Sequence, residues 1–183
     1  MRVIAGKYRH RLLEWPDDVK HIRPTKDRIR ESIFAALGDI NGLTCLDLYA
    51  GSGAMGIEAI SRGASLTVFV DNNNVALDTV NKNLKNLGIN KREGIVLALD
   101  DISAINKLSL EKYKFDLIIL DPPYKEGKYE EIISLLKEKE LLNKDSIIVV
   151  ESDKEVIFSE SEYEKIKYYK YGEIRVAILR RPL

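Results

Sequence analysis

From residue 43 onward, short apolar runs alternate with longer amphipathic stretches. The short runs have the length and β-branched content of buried strands, whereas the longer stretches repeat apolar side chains every three or four residues, as helices do. The predicted strands are residues 44–49, 66–70, 94–99, 115–120 and 146–151, and the predicted helices are residues 54–62, 74–87, 101–110 and 129–141. Strands that alternate with helices in this way favour a parallel sheet, because each parallel connection needs a crossover.

The two ends of the chain depart from this alternation. Two β-rich runs near the C-terminus, residues 165–171 and 174–181, are joined by Gly172 and Glu173, which predicts a terminal hairpin. Near the N-terminus, residues 2–13 suggest a strand or hairpin. Residues 27–37 suggest a helix for which Thr25 is the predicted N-cap.

Together these elements predict an α/β fold with a doubly wound, mostly parallel sheet of seven strands. The length of 183 residues favours a single domain. Within it we expect an N-terminal extension, residues 1–40, and a core, residues 41–183.

The strongest local signal is a glycine-rich stretch directly after the first predicted strand. Gly51, Gly53 and Gly56 match the G-x-G-x-x-G pattern, and Asp71 follows Gly51 by 20 residues, at the end of the next strand. The glycines permit a tight turn, and a carboxylate in this position accepts hydrogen bonds from ribose hydroxyls in nucleotide-binding folds. The pattern therefore predicts a ligand that contains a nucleoside.

Two features argue against a nicotinamide dinucleotide as that ligand. Asp47, four residues before the first glycine, places a carboxylate where an apolar residue is usual, and a carboxylate suits an ammonium group better than a pyrophosphate. The second feature is the tetrapeptide Asp121-Pro122-Pro123-Tyr124. It follows the strand at 115–120, at the edge of the sheet where α/β proteins bind ligands.

The residue types of the tetrapeptide suggest how it can bind an amine. Its two prolines remove two N–H donors, which leaves the Asp121 carboxylate and the Pro122 carbonyl as acceptors for the two N–H groups of an exocyclic amine. Tyr124 can stack on the base that carries the amine, and such stacking contributes about 1–3 kcal/mol. Holding the amine in line with an electrophilic methyl group is positional catalysis, which requires neither a metal nor a covalent nucleophile.

Three motifs, at residues 23–31, 47–64 and 121–124, together resemble the RsmD family of class I S-adenosylmethionine-dependent methyltransferases. The resemblance covers nearly the whole chain. It implies a Rossmann-like core and an enzyme that methylates the exocyclic N2 amine of a guanine in small-subunit (16S) ribosomal RNA.

The resemblance also implies roles for individual positions. S-adenosylmethionine would be bound by Asp47, Gly51, Ser52, Gly53, Asp71, Asn72, Asp100, Arg23 and Thr25. The guanine would be received by Asp121, Pro122, Pro123 and Tyr124. Asp101 is the alternative to Asp100 beside the adenine amine; we prefer Asp100, because that register turns Ile102 and Ile105 inward.

The charges are segregated, although 29 basic and 29 acidic residues give a net charge of zero. Residues 1–30 carry nine basic and four acidic residues, and residues 165–183 carry six and one, so each segment has a charge of +5 and the middle −10. We predict that the N-terminal segment binds RNA phosphates, with Lys7, Arg9 and Arg11 alternating on one face of a strand. The predicted RNA-binding residues are Lys7, Arg9, Arg11, Arg28 and Arg30.

The composition excludes several kinds of site and structure. Cys45 is the only cysteine, which excludes an intramolecular disulfide or a cysteine zinc site, and we predict no bound metal. No apolar run reaches the length of a membrane span, so we expect a cytoplasmic protein, with a monomer as the default state. Glu58 is predicted to be structural, and Glu151 is a weaker candidate for the edge of the site.

Several alternatives remain open from the sequence. The chain could be another amino-methylase, acting on adenine N6 of DNA or RNA or on protein glutamine. It could be a nicotinamide-dependent oxidoreductase, or an RNA-binding factor without catalysis. The RNA substrate could be naked or part of a wholly or partly assembled ribonucleoprotein.

Overall fold

The computed structural model describes residues 1–16, 25–122 and 128–183. Seven strands form one sheet within these residues: β1 Thr44–Asp47, β2 Leu66–Asp71, β3 Gly94–Ala98, β4 Phe115–Leu120, β5 Leu142–Ser152, β6 Tyr163–Tyr171 and β7 Ile174–Pro182. The α-helices described are α1 Asp27–Leu37, α2 Ala54–Ser61, α3 Asn74–Leu87, α4 Asp101–Leu110 and α5 Tyr129–Glu138. None of the described helices has the length and apolar character that crossing a membrane requires.

The strand order in the sheet is β3-β2-β1-β4-β5-β7-β6. The first five strands in this order are parallel, whereas β7 pairs antiparallel with both β5 and β6. The order reverses between β1 and β4, and the carboxyl ends of strands at such a reversal form the crevice where α/β proteins bind ligands. The predicted doubly wound sheet with a terminal hairpin is thus confirmed.

Apolar layers cover both sides of the sheet. On one side, α1 and α2 pack over Cys45, Leu117, Ile119, Val149 and Val176, and α3 packs there over Phe69 of β2. On the other side, α4 and α5 cover Leu46, Val68, Ile118, Ile148 and Ala177. Successive residues of each central strand therefore alternate between two buried layers, which is why these strands are almost continuously apolar in the sequence.

The N-terminal segment follows the hairpin alternative of the prediction and is not the continuous strand that its alternating charges suggest. Residues 1–3 pair antiparallel with residues 11–13 through the Arg2–Leu12 bridge and two flanking backbone hydrogen bonds, with turns in between. The backbone donors of Ile4 and Ala5 bond instead to the Glu58 carboxylate on α2, at 2.9 and 3.1 Å. At Gly6, whose φ is 82°, a Cβ atom would lie 1.8 Å from the Ser61 carbonyl oxygen, so only glycine permits this close approach.

Two smaller predictions also need correction. Lys26, not Thr25, is the N-cap of α1, and the Thr25 hydroxyl bonds elsewhere. The fifth strand begins earlier than predicted, at Leu142, because a register shift between Phe115 and Leu117 lets β4 pair with an additional segment.

Candidate active site

The glycine-rich loop joins the end of β1 to the start of α2. Gly51 and Gly53 have φ values of 57° and 82°, which side-chain-bearing residues rarely adopt. A Cβ atom on Gly56 would lie 2.4 Å from the Phe69 ring, so the third glycine allows α2 to pack closely on β2. The motif therefore places a tight backbone turn and a helix N-terminus at the crevice, as the sequence predicts.

Asp47 is buried at the end of β1 and accepts a hydrogen bond from the Gly56 amide at 3.1 Å. Burial, with smaller contributions from the negative charges of Asp71 and Glu151, raises the pKa of the Asp47 carboxyl from 3.8 to about 7. No cation pairs with it among the residues that the structure describes. A carboxylate with one N–H partner fits the ammonium end of S-adenosylmethionine, since a bound cation would offset the charge.

Asp71 at the end of β2 holds the loop from the other side. Its Oδ2 accepts from the Gly51 amide and its Oδ1 from the Asn73 amide, both at 2.9 Å. Each carboxylate oxygen retains acceptor capacity for a ribose hydroxyl. Asn72, next to it, is exposed, so the structure brings the predicted ribose residues to the rim of the glycine loop.

Asp100 and Asp101 have different hydrogen-bond partners in the structure. Asp100 caps α4 by accepting from the Ser103 amide at 2.8 Å, whereas Asp101 accepts from the Tyr49 hydroxyl at 2.8 Å. Ile105 is buried as expected, but Ile102 is 53% exposed. The inward placement of Ile102 was the reason to prefer Asp100, and that reason is wrong because the helix turns this side chain to solvent.

Asp121 and Pro122 follow β4 at the crevice and are half-buried. Burial, then the charges of Glu151 and Asp47, raise the pKa of the Asp121 carboxyl well above its usual range. The other tetrapeptide residues, Pro123 and Tyr124, lie outside the described residues, as does Arg23.

Glu151 is more central than the sequence suggests. Leu120 pairs with Val150, so Asp121 and Glu151 lie side by side at the ends of β4 and β5. The buried Glu151 carboxylate accepts from the Thr25 hydroxyl at 3.0 Å, and the Tyr129 hydroxyl donates to its backbone carbonyl at 2.9 Å. Glu151 thus joins the N-terminal motif, α5 and the strand ends. The one sign of this connecting role in the sequence is the position of Glu151 at the end of an apolar strand.

Asn83 of α3 is a residue of the site that the sequence did not indicate. Its buried side chain bonds to the backbone of both Ser52 and Glu14. Ser52 itself is buried, and its hydroxyl accepts from the Ala54 amide at 3.3 Å.

The predicted RNA-binding residues separate into two groups. Lys7, Arg9, Arg11 and Arg28 are exposed. Arg30 is fully buried, where its guanidinium pairs with Asp27 at 3.0 Å and approaches Glu58 at 3.7 Å. Its prediction as an RNA contact is wrong, because the side chain ties α1 to α2 and to the Arg2 carbonyl. Glu58 is structural, as predicted.

Among the described residues, no group of three or more His, Cys, Asp or Glu side chains is arranged to hold a metal ion. Cys45 is a buried thiol within the apolar layer under α1.

The doubly wound sheet, the glycine loop after β1 and the acid at the end of β2 define the class: this is a Rossmann-like fold of the class I methyltransferase type. The chain belongs to the family described as "Conserved hypothetical protein 95", whose model matches residues 1–180.

Relatives of this chain are named as methyltransferases. It is 39% identical, over 99% of both chains, to the "Putative rRNA methyltransferase YlbH" of Bacillus subtilis. It is 34% identical to the "Ribosomal RNA small subunit methyltransferase D" of Escherichia coli K12, covering 85% of this chain and 76% of that one. Among solved structures, the "Putative methyltransferase yhhF from Escherichia coli" superposes with a TM-score of 0.84 at 29% identity, covering 100% of this chain and 98% of that chain.

Proposed function

We propose that this methyltransferase transfers a methyl group from S-adenosylmethionine to the exocyclic N2 amine of a guanine in small-subunit ribosomal RNA. The observation that carries the proposal is the position of Asp121, an acceptor for an amine, at the end of β4, beside the end of β1 where Asp47 lies. The names of the E. coli and B. subtilis relatives support an RNA substrate, and the E. coli name supports the small subunit.

The cofactor would lie across the ends of β1, β2 and β3. Asp47 and the loop of Gly51, Ser52 and Gly53 would hold its methionine part, which the uncompensated buried carboxylate supports. Its ribose would bond to Asp71 and Asn72, and Asp100 or Asp101 would face its adenine. Thr25 and Arg23 would bring the N-terminal motif to the same pocket, a role that the Thr25–Glu151 hydrogen bond supports for Thr25.

The chemistry at the target amine would be positional. The bound cofactor supplies a methyl group on a positively charged sulfur. The Asp121 carboxylate and Pro122 carbonyl would accept the two amine N–H groups and so orient the nitrogen lone pair, with Pro123 fixing the turn and Tyr124 stacking on the base. The nitrogen would lose one proton as it gains the methyl group and the carbon–sulfur bond breaks, with its electron pair left on sulfur. Asp121 would accept that proton, and the raised pKa of its carboxyl makes it a better base than an ordinary carboxylate.

RNA would approach along residues 1–40, with the catalytic core in residues 41–183. The exposed Lys7, Arg9, Arg11 and Arg28 would contact phosphates; Arg30 takes no part in this proposal. We also propose that the protein is a cytoplasmic monomer. Its substrate is small-subunit RNA, either naked or within a wholly or partly assembled ribonucleoprotein, since a small enzyme can take its specificity from the fold of its substrate.

The test is methyl transfer from radiolabelled S-adenosylmethionine to small-subunit RNA, to assembled small subunits, to DNA and to protein. We expect label in RNA or subunits only. When the labelled RNA is digested to nucleosides and these are identified, the label should be on guanine N2. The variant Asp121→Ala should lose transfer by at least about 100-fold while its affinity for S-adenosylhomocysteine in calorimetry stays within a factor of about two.

Several results would contradict the proposal. Label in DNA or protein alone would favour another amino-methylase, and binding of a nicotinamide dinucleotide without binding of S-adenosylhomocysteine would favour an oxidoreductase. Unchanged turnover in Asp121→Ala would remove Asp121 from the mechanism.

A further inference from the structure

Strand β6 forms an edge of the sheet and presents a chemically distinct face on the α1 side. Tyr169 pairs with Val176 and Lys167 with Ile178, and both of these β7 residues belong to the apolar layer under α1. Because paired residues of adjacent strands point to the same side, Lys165, Lys167, Tyr169 and Tyr171 all point to the α1 side. We call these four residues the hairpin face.

The acidic residue of β6 lies on the side away from α1, to which Lys170 also points. On the side away from α1, Glu164 pairs with Arg181 at 2.8 Å, and Arg181 also pairs with Asp145 at 2.7 Å. On the hairpin face, Lys165 and Lys167 are exposed, and neither enters an ion pair within the part of the chain that the structure describes. Their charges are therefore available to an external anion, whereas the acidic residue of this strand is already neutralised.

Two tyrosines continue the face toward the end of the strand. The rings of Tyr169 and Tyr171 are nearly parallel, with an interplanar angle of 3° and centroids 6.3 Å apart. Both side chains are half-buried against the layer under α1, which fixes the rings in place. Fixed aromatic rings next to lysines combine the two features that bind single-stranded nucleic acid: stacking surface and positive charge.

The hairpin face is aligned with the candidate active site. Tyr169 pairs with Val176, Val176 pairs with Glu151, and Glu151 lies beside Asp121. Adjacent strands are about 4.8 Å apart, which puts the Tyr169 backbone about 10 Å from that of Glu151. Asp121 and Glu151 follow Ile119 and Val149 by two residues, so they point to the same α1 side of the sheet.

We propose that the hairpin face is a second RNA contact surface, which holds a single-stranded segment next to the target base. Lys165 and Lys167 bind its phosphates, and the Tyr169 and Tyr171 rings contact a neighbouring base. The inference rests on the proposed RNA substrate. It also assigns a role to two of the six basic residues of segment 165–183, which the phosphate contacts proposed for the N-terminal segment do not involve.

A charge reversal tests this surface directly. In the double variant Lys165→Glu/Lys167→Glu, we expect the KM for small-subunit RNA to rise at least about tenfold, with kcat nearly unchanged. The slope of log affinity against log salt should fall by about 1.4, since each lost single-strand phosphate contact contributes about 0.7. The affinity for S-adenosylhomocysteine should not change.

The matched control is Lys112→Glu/Lys144→Glu, which changes the net charge equally with exposed lysines near the amino ends of β4 and β5. If the two double variants have the same RNA affinity and salt slope, the hairpin face is not an RNA surface, and its lysines serve only to protect an edge strand from pairing with other chains. If the first variant unfolds, the milder Lys165→Gln/Lys167→Gln replaces it, and we expect its KM and salt slope to change in the same direction.

Failure of the wild-type protein to methylate RNA would instead refute the proposed function.

Discussion

The side chain of Asn83 connects the N-terminal segment to the glycine-rich loop. Its Nδ2 donates to the Ser52 carbonyl at 3.0 Å and to the Glu14 carbonyl at 3.1 Å, while its Oδ1 accepts from the Glu14 amide at 2.7 Å. The side chain is 1% exposed, so no water substitutes for these bonds without rearrangement. One residue of α3 thus sets the position of a loop predicted to lie under the cofactor.

Asn83→Asp should weaken cofactor binding more than its effect on folding explains. The carboxylate retains the acceptor for Glu14 but loses both donors, and it places a negative oxygen against the Ser52 carbonyl. We expect a loss of about 1–3 kcal/mol in unfolding free energy and a Kd for S-adenosylhomocysteine about tenfold higher, measured by calorimetry well below the melting temperature.

The matched control is Asn81→Asp, an exposed position on the same helix. It should leave the Kd unchanged. A purely structural role for Asn83 would lower the melting temperature without changing the Kd, and that result would contradict the assignment.

Much of the fold could be predicted from local patterns. The limits of α3 agree with prediction because Asn73 caps its start and Gly88, with φ of 71°, ends it. Both signals are residue types that directly flank the helix in the sequence. The N-terminal segment could not be predicted this way. Its alternating charges have the period of a strand, but the backbone donors of Ile4 and Ala5 bond to Glu58, more than 50 residues away in the chain.

In the candidate site, too, some residues could be predicted from local sequence and others could not. Asp47, Asp71 and Asp121 each follow an apolar run, so the topology alone brings them to one crevice. The roles of Glu151 and Asn83 depend on partners from distant elements, Thr25 in one case and Ser52 in the other. Such long-range contacts leave no periodic signal in a single sequence.

Arg30 and Arg28 should behave oppositely when replaced. Arg30→Met removes a fully buried guanidinium and leaves the buried Glu58 carboxylate with Arg62, at 2.8 Å, as its remaining described ion-pair partner. Losing one partner of a buried ion pair costs about 3–5 kcal/mol, so we expect a loss of about 3 kcal/mol in urea unfolding. Arg28→Met, on the exposed face of α1, should change stability by less than about 0.5 kcal/mol but raise the KM for RNA.

A partial return of stability in Arg30→Met/Glu58→Gln would attribute the loss to the uncompensated charge. Equal stabilities of the Arg30 and Arg28 variants would show that the buried network contributes little.

Cofactor affinity should increase with pH up to about pH 7. The carboxyl of Asp47 has a pKa of about 7 in the cofactor-free protein, and only its ionised form attracts the cofactor's ammonium group. Below that pH the group must release a proton on binding, so the association constant should rise by up to about tenfold per pH unit between about pH 5.5 and 7 and then level off. Calorimetry with S-adenosylhomocysteine in buffers of different ionisation enthalpy measures the released proton.

Asp47→Asn is the control for that titration. It should bind the cofactor weakly at every pH, with no proton release. A pH dependence that persists in this variant would assign the proton to another group.

Asp47→Asn should also stabilise the cofactor-free protein, and the gain should be larger at pH 8 than at pH 5. Folding raises the pKa of Asp47 from 3.8 to about 7, so the native state binds this proton more tightly than the unfolded chain does. The resulting stability is fully present below about pH 4 and is lost as the pH rises through about 7. Asparagine can keep the acceptor for the Gly56 amide without a charge, so we expect the variant to gain about 2–4 kcal/mol at pH 8. Urea unfolding at both pH values measures the gain, with the exposed Asp78→Asn as a control that should show none. Equal stabilities of wild type and Asp47→Asn at pH 8 would mean that the buried carboxyl carries no raised pKa.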